Sequence, residues 1–228
     1  MDDHSTIRTF GRRKGHRLSP RKQRLLAEQL PGLRINPDNP PPRPLADLFP
    51  NSPSHIWLEI GFGAGEHLVW QAEANSQVGL IGCEPYINGV AALLTSVEEQ
   101  GLANIRIWDG DARVVLDWLD DGTVARVFVL HPDPWPKARH HKRRLLSANT
   151  LDALGRIMAP GGELRVATDI GDYARSTLEA VQRSGIFAWT AECADDWRIR
   201  PPDWPQTRYE KKARKEGRDA IYLTFTRA

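Results

Sequence analysis

Cysteine is nearly missing: the 228 residues hold two, Cys83 and Cys193. Two thiols cannot build a disulfide framework, and neither belongs to a Cys-x-x-Cys pair of the kind that ligates zinc. Both read as small buried apolar residues, and no metal is expected. Any run of about 18 apolar residues is missing too, so no membrane-spanning helix is expected. Met1 to Phe10 is polar and of mixed charge, which argues against a secretory signal and for a cytoplasmic protein. There are no internal repeats. An excess of one charge is also lacking, since 31 Lys and Arg stand against 29 Asp and Glu. The length excludes two full-sized domains and suits one α/β domain with a tail or insertion.

The near-zero net charge conceals clustering. Arg8, Arg12, Arg13, Lys14, Arg17, Arg21, Lys22 and Arg24 crowd one end. Arg139, Lys142, Arg143 and Arg144 follow one another closely, with His140 and His141 among them. Arg208, Lys211, Lys212, Arg214, Lys215 and Arg218 form a third group. A single cluster could be no more than a solvated face, whereas three together favour a nucleic-acid partner.

Residues 1–53 show little apolar periodicity and contain Asn39-Pro40-Pro41-Pro42-Arg43-Pro44, which cannot be helix or central strand. A basic arm and Pro-rich linker, partly disordered, is expected there. From residue 54 to 228, short apolar runs alternate with amphipathic stretches. Ile56 to Ile60, Val78 to Cys83, Ile105 to Trp108, Val124 to Leu130 and Glu163 to Ala167 read as strands. Glu66 to Asn75, Ile87 to Gln100, Ala112 to Leu119, Ser147 to Met158 and Asp172 to Ser184 read as helices. Such alternation predicts a Rossmann-like, doubly wound and mostly parallel α/β sheet. Phe187 to Cys193 and Ile221 to Thr226 lack a crossover helix between them, so an antiparallel C-terminal pair is expected, for about seven strands in all. Residues 194–219, rich in Trp, Pro and Arg, form a candidate substrate-gripping insertion.

In a doubly wound sheet, ligands sit beyond the carboxyl ends of the strands. The first strand ends in Glu59-Ile60-Gly61-Phe62-Gly63-Ala64-Gly65, a turn that lets backbone approach a ligand closely. Dinucleotides, nucleotides and S-adenosylmethionine all use such turns, but the glycine spacing departs from the dinucleotide fingerprint. The carboxylates narrow the choice. Glu59 precedes the glycines, Glu84 ends the second strand, and Asp111 and Asp133 follow the third and fourth. An acidic ring repels a pyrophosphate and suits S-adenosylmethionine, with its ammonium, sulfonium and ribose hydroxyls. The competing role for each acid is a helix N-cap, most plainly for Asp111 ahead of Ala112.

After the fourth strand comes His131-Pro132-Asp133-Pro134-Trp135-Pro136-Lys137-Ala138-Arg139-His140-His141-Lys142-Arg143-Arg144. Prolines stiffen the backbone on both sides of Asp133, and Trp135 offers a flat face. Through the Glu-x-Gly-x-Gly-x-Gly turn, Pro-Asp-Pro-Trp, the Lys-x-Arg-His-x-Lys-Arg-Arg run and a late Thr-Arg-Tyr-Glu, the sequence from about Trp57 to Phe225 resembles the bacterial tRNA (guanine-N7-)-methyltransferase family. The resemblance implies S-adenosylmethionine as cofactor, held by Glu59, Gly61, Gly63, Glu84, Asp111 and Asp133, with Asp133 catalytic. It implies substrate contacts from Lys137, Asp169, Thr207, Arg208, Tyr209 and Glu210, and RNA contacts from Arg139, His140, His141, Lys142, Arg143 and Arg144. It further implies tRNA as partner and a variable-loop guanine as target; no obligate partner protein is evident from the residues, and both monomer and homodimer stay open. Where the family commonly carries an aromatic, this chain has His131. A packing role is expected for it, since no Asp or Ser nearby suggests a proton relay. For Asp169 the alternative is an N-cap of the following helix.

Guanine N7 has a lone pair and no proton, so its methylation needs positioning and no general base. Asp133, with Asp169 or Glu210, would then accept hydrogen bonds from the guanine N1–H and N2–H₂ donors, a pair adenine lacks. Two rival readings remain. One is exocyclic-amine methylation, whose loops place two prolines between the acid and the aromatic where this chain has one. The other is a non-catalytic RNA-binding module, which leaves Glu59, Glu84 and Asp133 unexplained.

Overall fold

The structure, a computed structural model, describes residues 13–228. The chain divides into two compact units, Met1–Asp120 and Asp121–Ala228. The first holds α1 (Pro20–Glu28), α2 (Leu30–Leu33), β1 (His55–Ile60), α3 (Glu66–Ala74), β2 (Val78–Cys83), α4 (Ile87–Gln100), β3 (Ile105–Trp108) and α5 (Ala112–Trp118). The second holds β4 (Val124–Leu130), α6 (Ala148–Ile157), β5 (Met158–Thr168), α7 (Gly171–Ser184), β6 (Phe187–Trp189), α8 (Asp195–Arg198), α9 (Arg208–Lys215) and β7 (Ile221–Arg227). The strands follow the order β3-β2-β1-β4-β5-β7-β6 in a seven-stranded sheet. The mixed, mostly parallel α/β architecture expected from the alternation is therefore present.

In the first unit, β1, β2 and β3 run parallel, with Glu59 opposite Gly82 and Cys83 opposite Trp108. A helix separates each strand from the next, so each returns in the same direction. Every residue of β2 is buried, as its unbroken apolar run requires. Gly82 is small for a reason of packing: a Cβ there would lie 2.6 Å from Leu68 and 2.8 Å from Phe62. Helix α4 buries Val90, Leu93, Leu94 and Val97 and stops at Gly101, whose φ of 64° is the left-handed turn that ends helices. Each such aliphatic side chain contributes about 1.5–3 kcal/mol on burial.

Within residues 13–53, part of the stretch read as an arm and linker, two α-helices form. Ser19 caps α1 by accepting from Lys22 N, and Pro20 sits at its first position. Leu25 and Leu30 are buried in one cluster with Leu93 and Val97. Ile35 and Phe49 are buried as well. Among the basic residues, Arg21 pairs with Glu98 and Glu99, and Arg24 with Glu98 and Glu28. These two cations are thus matched within the chain. Arg8 and Arg12 lie outside the described residues.

In the second unit β5 runs parallel to β4, and β7 is antiparallel to both β5 and β6. Strand β5 is longer than expected because Val124 pairs with Met158 ahead of a register shift. Strand β6 is shorter than expected. The Asp196 carboxylate accepts from Glu192 N and Cys193 N at 2.8 and 2.9 Å and turns the chain into α8. Cys193 is consequently exposed, contrary to expectation, whereas Cys83 is buried. The insertion is tied down by Trp204, edge-on to Phe128 and Tyr222 with centroids 6.4 and 5.4 Å away. Beside it Arg165 binds Asp203 at 2.6 Å and Glu163 at 2.9 Å. Among the described residues no helix is long and apolar enough to cross a membrane.

Candidate active site

In the first unit the carboxyl ends of β1, β2 and β3 carry Glu59, Glu84 and Asp111, each with a distinct partner. Glu59 is 2% exposed and binds His67 Nδ1 at 2.7 Å. The other ring nitrogen of His67 lies 3.2 Å from Gln71 Nε2, which can only donate. The ring is thus held between Glu59 and Gln71, so His67 orients Glu59. The sequence offered one signal for it: a histidine early in the helix that follows the glycine turn.

The turn itself needs glycine, since Gly61, Gly63 and Gly65 have φ of 77°, 60° and 86°. Glu84 holds it in place. One of its oxygens accepts from Gly63 N at 2.7 Å and the other from Tyr86 N at 2.9 Å. Gly89 completes the support, because a Cβ there would lie 2.0 Å from the Gly63 carbonyl oxygen. Backbone cannot yield as a flexible side chain can. Gly89→Ala is therefore expected to lower stability by about 1–3 kcal/mol through overpacking, and thermal unfolding checks it. At the start of α4, Ile87 N donates to Arg13 O, and Asn88 binds Gly15 N and His16 O. The segment from Arg13 to His16 is thereby fastened close in sequence to Glu84.

Asp111 does cap α5, accepting from Arg113 N at 3.0 Å and from the Arg113 side chain at 2.9 and 2.7 Å. The capping alternative is realised, and a ligand role would come in addition to it.

In the second unit β4 ends at Leu130, and the following loop is bent at both ends: His131 and Trp135 have φ of 48° and 43°. Left-handed backbone at non-glycine residues is costly and persists where the surroundings impose it. Asp133, between them, is exposed and makes no hydrogen bond or ion pair among the described residues. His131 Nδ1 lies 3.5 Å from the Asp169 carboxylate, and its ring stacks on Tyr209 at 6.2 Å and 20°. Asp169 is remote from His131 in sequence, so no relay partner was expected there. The sheet brings the ends of β4 and β5 side by side. Burial pushes the imidazole below the usual histidine range, and Asp169 opposes this only in part. Above about pH 6.5 the ring is neutral both folded and unfolded. As the pH falls below that, the unfolded chain takes the proton first and stability declines. Replacing His131 by Phe should flatten this acid-side fall in Tm, measured from about pH 8 to about pH 5.

Asp169 is not an N-cap; Ile170 holds that position in α7 without a side-chain bond. Its carboxylate binds Arg218 at 2.8 Å. Thr207 caps α9 by accepting from Glu210 N. Glu210 is 6% exposed and faces Arg200 at 3.5 Å. Arg208 lies over the ring of Tyr209, which is itself 47% exposed.

The basic run after the loop divides. Lys137, Arg139 and Lys142 are exposed. His140 meets the Trp135 ring edge-on at 5.9 Å, and the Arg143 guanidinium lies 5.0 Å over the same ring. Arg144 is 7% exposed. Its guanidinium binds Asp172, Ser176 Oγ and Pro134 O.

Comparison with known proteins agrees with this architecture. Residues 53–223 match a family described as "Putative methyltransferase". A tRNA (guanine-N(7)-)-methyltransferase of Jannaschia sp. is 52% identical over 95% of this chain and 92% of its own length. Those of Roseobacter denitrificans and Agrobacterium fabrum are 50% and 47% identical, each over 96% of this chain and over 95% and 94% of their own lengths. Among solved structures, the 16S rRNA methyltransferase KamB superposes with TM-score 0.52 at 16% identity, over 77% of this chain and 89% of that one. The cyclase SpnF also gives 0.52, at 14% identity over 77% and 75% of the two chains. Two different reactions on one architecture leave these likenesses as evidence of fold alone. Near-full-length identity of about half carries more, and by it the chain belongs to the tRNA (guanine-N7-)-methyltransferase family.

Proposed function

We propose that this protein methylates N7 of a variable-loop guanine in tRNA with S-adenosylmethionine as donor, and that it does so in the cytoplasm. The observation that carries this reading is Asp133, an exposed carboxylate that among the described residues makes no hydrogen bond or ion pair, on a loop that is strained at both ends.

The donor set of the first unit suits a cationic, hydroxyl-bearing cofactor. A Cβ built on Gly61 would meet nothing within 4 Å, so the turn opens onto free space. The acids at the strand ends are acceptors only, and a carboxylate oxygen with one backbone partner still has a lone pair for another donor. Glu84 can therefore brace the glycine turn and take ribose hydroxyls, while Glu59, oriented by His67, contributes negative charge. The cofactor supplies an electrophilic methyl carbon on a sulfonium. This chain's own residues have to bind, orient and exclude water, because the N7 lone pair needs no base.

Guanine reading narrows to Asp133. Asp169 is engaged by Arg218 and His131, and Glu210 is buried beside Arg200. Asp133 would accept from N1–H and N2–H₂, worth on the order of 1–3 kcal/mol against adenine. Tyr209 offers an exposed ring for stacking. The decisive experiment incubates unmodified tRNA with labelled donor and then cleaves the strand at 7-methylguanosine. Scission at one variable-loop guanine is expected. Labelled tRNA that resists scission would mean methylation at another atom and would overturn the proposal.

A further inference from the structure

We infer that Arg144 is a positioning residue, which sets the geometry of the Asp133 loop and takes no part in gripping RNA phosphates. The inference rests on the proposed role of Asp133 as the guanine reader. The run from Arg139 to Arg144 looks uniformly basic, yet its members face different ways. Arg144 Nε donates to the Pro134 carbonyl at 3.0 Å, which lies between Asp133 and Trp135. Nη1 donates to Ser176 Oγ at 2.7 Å, and Nη2 meets the Asp172 carboxylate and His141 Nε2. Its guanidinium carbon also lies 5.4 Å over the ring of Tyr173, itself 1% exposed. The fork thus ties the loop to α7. Trp135, at the far end of the loop, is held separately by Arg143 and His140.

This buried cation has a partner within the chain for each of its three guanidinium nitrogens. It is suited to holding a strained turn: the plane of the guanidinium fixes three acceptors at once, which an ammonium on a flexible stem cannot reproduce. Arg139 and Lys142, exposed in the same turn, are the members left to face phosphates.

The distinction is testable because a phosphate contact and a clamp respond differently to lysine. Arg144→Lys keeps the charge and loses the fork. Under the inference, kcat at saturating tRNA and donor falls about 10-fold in Arg144→Lys and about 10²-fold in Arg144→Ala, the scale of a 1 Å misplacement. The Kd for tRNA and its salt dependence stay as in the unmutated protein. In contrast, Arg139→Ala and Lys142→Ala should each reduce the slope of log Kd against log salt by about 0.9. An Arg144→Lys protein with unchanged kcat, or an Arg144→Ala protein with a reduced salt slope, would overturn the inference. If Arg144→Ala does not fold, the lysine variant decides alone. An unmutated protein without N7 activity would defeat the reading of Asp133 itself, and that result is visible before any variant is made.

Discussion

Asp133→Ala is expected to lower tRNA methylation by about 10²-fold while tRNA affinity stays unchanged. The carboxylate is exposed and makes no hydrogen bond or ion pair among the described residues, so its removal opens no cavity, and the fold should be indifferent to it. What is lost is the contact that orients guanine. One bidentate acceptor contributes on the order of 1–3 kcal/mol, and a base free to shift by about 1 Å loses in-line alignment with the methyl carbon, a further effect of up to 10²-fold. Binding of tRNA should survive because its affinity would come mainly from phosphates, for which Arg139 and Lys142 are the proposed contacts. Asp133→Asn sharpens the test. The amide keeps one acceptor and sets an NH₂ donor against a donor on the base, so it should fall well short of wild type in spite of its shape. Single-turnover methylation with a filter-binding titration measures both quantities; near-normal turnover in Asp133→Ala would remove Asp133 from the site.

The second large effect is expected at Glu84. Its oxygens accept from Gly63 N and Tyr86 N, so the same carboxylate would fix the turn and bind the ribose. Hydrogen bonds to a charged group contribute about 1.5–3 kcal/mol each. Loss of a donor contact together with a displaced turn should weaken S-adenosylmethionine by at least about 10²-fold in Glu84→Ala. Glu84→Gln must turn an NH₂ toward one of the two backbone donors, so it too should bind weakly despite matching the volume. Calorimetric titration with the cofactor reads this directly, and thermal unfolding of the unliganded variants separates it from a loss of fold. Cofactor affinity that is unchanged in both variants would reduce Glu84 to a structural brace.

The two predictions illustrate how far local information reaches. Strands β2, β3 and β4 and helix α4 form over the residues whose apolar spacing predicted them. Burial of a face is a property of neighbouring residues along the chain, and it is written in their period. In the first unit Glu59, Glu84 and Asp111 stand at or just beyond the strand ends at which the sequence places them, because parallel strands carry their carboxyl ends to one edge. The amphipathic signal failed at α1 and α2, where Leu25 and Leu30 are buried, and at α1 beside arginines that pair with Glu98 and Glu99. Composition there read as a basic arm, since the acids that neutralise it lie more than 70 positions away.

By itself, then, the sequence determined the alternating architecture, the glycine turn and the acids that bear on the chemistry, all through local periodicity and strand-end placement. Tertiary structure alone decided the partners. It set His67 behind Glu59, Gly89 against Gly63, Asp169 beside His131, and Arg144 beneath the Asp133 loop. Each of these depends on a distance between residues that folding brings together. A charged or polar side chain takes its function from what lies within hydrogen-bond reach, and neither composition nor spacing records that.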